Sequence, residues 1–124
     1  MKTQEYQIAE DVLQLLVQKK IFSDQDLNEA TQLFIELCRQ WQITEFTIFG
    51  SLLRPDFKVS SDIDCLITFM ESAPWGLFEI VTLQDELQEL FGRKIDITEK
   101  RSLTNPFIIK SIAENHQVLY SSYG

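Results

Sequence analysis

Between Glu5 and Lys19 the apolar residues Ile8, Val12, Leu15 and Leu16 recur at helical spacing, which predicts an amphipathic helix ending before Ile21. Ser23, followed three residues later by Asp26, offers a variant capping box for a second helix. That helix carries a stripe of Leu27, Ala30, Leu33, Phe34, Leu37, Cys38 and Trp41, for which core packing is a sufficient explanation. The period then changes. Glu45 to Phe49 is rich in Thr, Ile and Phe and stops at Gly50, as a short strand entering a tight turn does.

After a polar loop holding Pro55 and Asp56, residues alternate from Asp62 to Phe69: Ile63, Cys65, Ile67 and Phe69 against Asp62, Asp64, Leu66 and Thr68. That is a strand on which Asp62 and Asp64 project together, away from Ile63 and Cys65. A turn through Ser72, Ala73 and Pro74 leads into a helical stripe from Leu77 to Phe91 that Gly92 is placed to cap. Lys94 to Ile97 reads as the next strand. A strand, a long helix and another strand imply a right-handed crossover with the two strands parallel and adjacent, which would bring Asp96 near Asp62 and Asp64. Asn105 and Pro106 suit an N-cap and first turn for a last helix over Phe107, Ile108, Ile112 and Ala113, and Val118 to Tyr120 could add an edge strand.

With 124 residues the chain is expected to form a single domain, 1–124, with a helical N-terminal extension over about 1–22. No repeat, linker or low-complexity run interrupts it. Hydrophobic residues at 44% and charged residues at 24% are ordinary for a folded domain. The apolar runs are too short for a membrane span, and Met1 to Glu5 opens no signal peptide, so a cytoplasmic protein with no membrane partner is expected. Cys38 and Cys65 lack the spacing of a zinc or redox pair and read as buried cytosolic thiols. The formal charge of -8, from 19 acidic and 11 basic residues, disfavours direct nucleic-acid binding.

The chemistry concentrates in Gly50-Ser51, ten intervening residues, then Asp62-Ile63-Asp64. Glycine lets backbone approach a phosphate closely, and a serine hydroxyl with neighbouring N–H groups can bond phosphate oxygens. Two carboxylates on one strand face, joined by a third from a neighbouring strand, make a hard-oxygen set suited to Mg²⁺. A lone Gly-Ser is usually a turn and a lone Asp-x-Asp usually a strand end. Together at this spacing, with Asp96 one crossover later, they are much harder to dismiss. Arg54 reads either as a triphosphate contact or as a solvated loop residue, while Lys58 and His116 read as surface groups.

Phe49-Gly50-Ser51, Arg54, Ser61-Asp62-Ile63-Asp64, Gly92 to Ile97 and Asn105-Pro106 together resemble the minimal nucleotidyltransferases (MNT) of the DNA polymerase β-like superfamily, known as partners of HEPN proteins in toxin–antitoxin pairs. The similarity runs from about Phe34 to Tyr120. It implies an α/β (α+β) nucleotidyltransferase fold, a small mixed sheet with helices packed on one face and carboxylates on the other. It implies two Mg²⁺ ions on Asp62, Asp64 and Asp96, with Asp96 also activating the acceptor hydroxyl. Gly50, Ser51 and Arg54 would bind the triphosphate of ATP. AMP would pass to a hydroxyl, foremost a tyrosine of a cognate HEPN ribonuclease toxin. The chain departs from the family at Leu52 and Pro55, where an arginine and a glycine are common. Two other roles stay open: a non-catalytic antitoxin acting by occlusion, and a small-molecule nucleotidyltransferase.

Overall fold

The computed structural model describes residues 5–122. Along them run β1 (Tyr6–Ile8), α1 (Glu10–Gln18), α2 (Leu27–Gln40), β2 (Ile43–Phe49), β3 (Ile63–Phe69), α3 (Leu77–Phe91), β4 (Ile95–Glu99), α4 (Pro106–Glu114) and β5 (His116–Ser122). Short 3-10 turns follow β2 at Gly50–Leu53 and β4 at Lys100–Ser102.

The first element differs from its expectation. Tyr6–Ile8 is a strand, paired antiparallel to β5 with Ile8 opposite Tyr120, and the helix begins only at Glu10. Three residues are too few for alternation to show, and Ile8 sits where a helical stripe would also place it. α1 then buries Val12, Leu13 and Leu16. It closes in a Schellman motif: the Lys20 N–H donates to Val17 O at 3.0 Å and Ile21 N–H to Leu16 O at 2.9 Å, with Lys20 left-handed at φ 63. Ser23 and Asp26 bond one another as the sequence suggests, the Asp26 N–H donating to Ser23 Oγ at 3.2 Å, but they shape the turn before α2.

α2 and α3 are where the apolar stripes put them. Phe34, Ile35 and Cys38 of α2 are buried, and Leu83, Leu87 and Phe91 of α3. The Trp41 indole N–H donates to Glu86 on α3 at 2.8 Å, tying the two helices side by side. At the start of α3, Glu79 accepts from the Gly76 N–H at 2.8 Å, and Gly92 ends the helix left-handed at φ 67.

The sheet order is β1-β5-β2-β3-β4, with β3 and β4 parallel and the other pairs antiparallel. β5 is therefore an interior strand between β1 and β2, not an edge, because β1 takes the edge place. Phe46, Ile48, Ile63, Cys65, Ile67 and Ile95 turn one sheet face toward α1, α2 and α3, and all belong to one core cluster. α4 buries no side chain. β4 and β5 run parallel across β3 and β2, opposite in direction to the step from β3 to β4. On the opposite sheet face, the one that carries Asp64, Thr47 and its partner Leu66 are buried as well. Among the described residues no helix is long and apolar enough to cross a membrane.

Candidate functional site

β2 delivers the chain to Gly50, whose φ of 78 is left-handed, and the following turn brings it back toward β3. A Cβ at position 50 would lie 2.7 Å from Asp64 Oδ2, so the absence of a side chain is what lets this turn close on the carboxylate. The Ser51 hydroxyl donates to Asp62 O at 3.2 Å. It ties the turn to the entry of β3, a structural use that the sequence does not announce. Leu52 is fully buried, so this position of the turn points into the core.

Pairing of β3 with β4 sets Asp64 directly opposite Asp96. Asp62 precedes β3 by one residue, and its carboxyl lies within hydrogen-bonding reach of Asp96. Asp62 and Asp64 are half-buried and Asp96 is exposed. Burial first, then the charges of Asp96 and Asp62, push the Asp64 pKa up from 3.8 to about 6, while Arg54 pulls it down. Asp96 is raised by desolvation, then by the charge and hydrogen bond of Asp62, and Lys94 opposes this.

All three predicted carboxylates thus meet at one end of the sheet, beside Gly50 and Ser51 and within electrostatic range of Arg54. They gather without closing into a cage: among the described residues, no three His, Cys, Asp or Glu side chains form a ready-made metal site. Three hard-oxygen donors gathered at one place nevertheless fit a divalent cation chemically: the ionised forms of Asp64 and Asp96 are disfavoured by their carboxylate neighbours, and a bound cation, like a proton, offsets that repulsion.

The remaining sequence candidates separate cleanly. Lys58 is exposed, as expected. His116 is exposed too, its Nδ1 2.8 Å from Ile112 O. Cys38 and Cys65 are both buried, which raises the pKa of each thiol and keeps it protonated. The sequence pattern gives Lys19, Phe57 and Arg93 no role at the site. The Lys19 ammonium lies 5.8 Å and the Arg93 guanidinium 5.1 Å from the Phe57 ring centre, in the loop that carries Arg54. No local pattern marks residues so far apart in the chain as neighbours.

Residues 31–119 match the model of the nucleotidyltransferase domain family. A candidate protein adenylyltransferase of Methanocaldococcus jannaschii is 38% identical over 79 residues, covering 64% of this chain and 79% of the relative. Among solved structures, a candidate minimal nucleotidyltransferase superposes with a TM-score of 0.57 at 25% identity, over 75% of this chain and 92% of the other. A tri-AMPylated Shewanella oneidensis HEPN toxin in complex with its MNT antitoxin gives a TM-score of 0.54 at 16% identity, over 77% and 72% of the two chains. At that identity the last likeness is one of fold.

Proposed function

The chain belongs to the nucleotidyltransferase domain family and is of the minimal, protein-adenylyltransferase type, and from that premise we propose that it transfers AMP from ATP to a tyrosine hydroxyl of a cognate HEPN-type toxin, as that toxin's antitoxin. The observation that carries the reading is the pairing of Asp64 with Asp96, next to Asp62 and the side-chain-free approach of Gly50. The protein partner is supported by the toxin–antitoxin complex of the same fold and by the name of the archaeal relative.

Asp62, Asp64 and Asp96 would hold magnesium, which supplies charge neutralisation at the phosphates and at the attacking oxygen. Gly50 and the backbone of its turn let the triphosphate come close, and Arg54 meets its charge from the loop. Asp96, the most exposed of the three carboxylates, takes the proton of the acceptor hydroxyl. The acceptor oxygen then bonds to the α-phosphorus, the bond from that phosphorus to the bridging oxygen of the β-phosphate breaks, and pyrophosphate leaves. A folded partner presenting its tyrosine in line supplies the positioning that such transfer demands.

The test is intact mass of a HEPN-type partner co-expressed with this chain or with its Asp62→Asn, Asp64→Asn variant. We expect the partner to gain one or a few AMP units on tyrosine with the wild type and none with the variant. If purified, unmodified partner is silenced equally by the variant, the chain acts by occlusion and the transfer reading fails.

A further inference from the structure

The turn after β2 brings no cation of its own to the site, because Leu52 is fully buried and Leu53 half-buried. Arg54 is the first charged residue beyond it, and it stands on a loop exposed at nearly every position from 54 to 60. Among the described residues its ion pair is with Asp56 at 3.7 Å and lies in the open, with the two side chains 48% and 76% exposed. Such a pair contributes little to fixing a side chain.

What holds the loop comes from elsewhere in the chain. Phe57 is its one half-buried member between Arg54 and Ser60. Lys19, at the C-cap of α1, sits over the Phe57 ring and donates from Nζ to the Arg54 carbonyl at 3.1 Å. Arg93, between α3 and β4, lies over the same ring and donates from Nη1 to Lys58 O at 3.3 Å. The Phe57 N–H donates to Arg54 O at 3.3 Å, so one carbonyl gathers both the loop's own turn and the lysine. Lys19 and Arg93 are themselves half-buried, and the Schellman closure of α1 fixes the backbone beside Lys19.

We propose that Lys19 and Arg93 are positioning residues that grip the loop through Phe57 and thereby hold the Arg54 guanidinium against the triphosphate, an inference that rests on the nucleotidyl-transfer reading. The grip makes α1, which lies outside the segment matched by the domain family, part of the nucleotide site. Lys19 acts through Arg54 and touches no reacting atom. Removing its ammonium therefore weakens triphosphate binding only while Arg54 is present.

The experiment is a double-mutant cycle between Lys19→Met and Arg54→Met, read as the affinity of the full chain for the Mg²⁺ complex of a β,γ-imido ATP analogue. Methionine keeps the apolar stem of lysine and removes the donor and the charge. With one cation–π contact and one hydrogen bond lost, we expect Lys19→Met to weaken binding by roughly fivefold to tenfold. Lys19→Arg should restore most of it, and Lys19→Met should add nothing in the Arg54→Met background. Phe57→Leu, which attacks the grip from the loop side, should reproduce the loss. Hydrogen exchange of the 56–61 amides, measured without nucleotide, should accelerate in Lys19→Met while the melting temperature holds. Unchanged exchange, or losses that add independently in the double variant, would overturn the inference. If the wild type binds no triphosphate, the transfer reading falls, and the exchange of the loop amides alone decides whether the grip exists.

Discussion

Asp64 is half-buried beneath a turn that leaves no room for a Cβ, and it must share that end of the sheet with two more carboxyls. Its pKa is raised from 3.8 to about 6, so between those values the folded state binds more protons than the unfolded one. Stability of the metal-free protein therefore falls as pH rises through that window, and the full penalty applies above it. Asp64→Asn abolishes the titration. In chelator, its melting temperature should match the wild type near pH 4 and exceed it progressively up to about pH 7. A gain of equal size at both ends of the range would mean that the carboxylate charge is not the source. The i, i+2 spacing of Asp62 and Asp64 placed them on one strand face from the sequence alone, and the crossover argument placed Asp96 beside them. The Ser51 hydroxyl bond to Asp62 O and the burial of Leu52 were not legible, since both depend on where the turn lands against β3.

Elements with long apolar periods, α2 and α3, were read within a residue or two, because their stripes are repeated over several turns. β1 was not. Its three residues carry less pattern than noise, and only the edge of β5 makes them a strand. For the same reason β5 was expected at an edge that β1 in fact covers. α4 shows the opposite case, an element specified almost wholly by local chemistry. Asn105 accepts from the Phe107 N–H at 2.9 Å, Pro106 sets the first turn, and no side chain of the helix is buried. Asn105→Ala should accordingly cost about 1 kcal/mol within α4. Because little of that helix is coupled to the core, the loss should appear as faster amide exchange through its first turns, with only a small change in global melting temperature. A matching fall in global stability would show that α4 unfolds together with the sheet.

Across the whole molecule the helices and the sheet meet in a group of rings. Phe91 lies 5.2 Å from Phe22, 5.9 Å from Phe34 and 6.2 Å from Phe46, linking α3 to the segment after α1, to α2 and to β2. Phe91→Ala should destabilise the protein by about 3 to 5 kcal/mol in urea unfolding, seen as a lower midpoint with no change in slope. A loss under 1 kcal/mol would show that the neighbouring rings close the gap. The sheet order also has a consequence in time. β2 is flanked by β3, made soon after it, and by β5, made at the far end of the described chain, while β1 has only β5 to pair with. From Phe49 to Tyr120 is 71 residues, so a ribosome working at about 5 to 20 residues per second leaves one edge of β2 bare for roughly four to fourteen seconds. During that interval the nascent chain offers neighbouring chains a strand that the finished protein conceals on both sides.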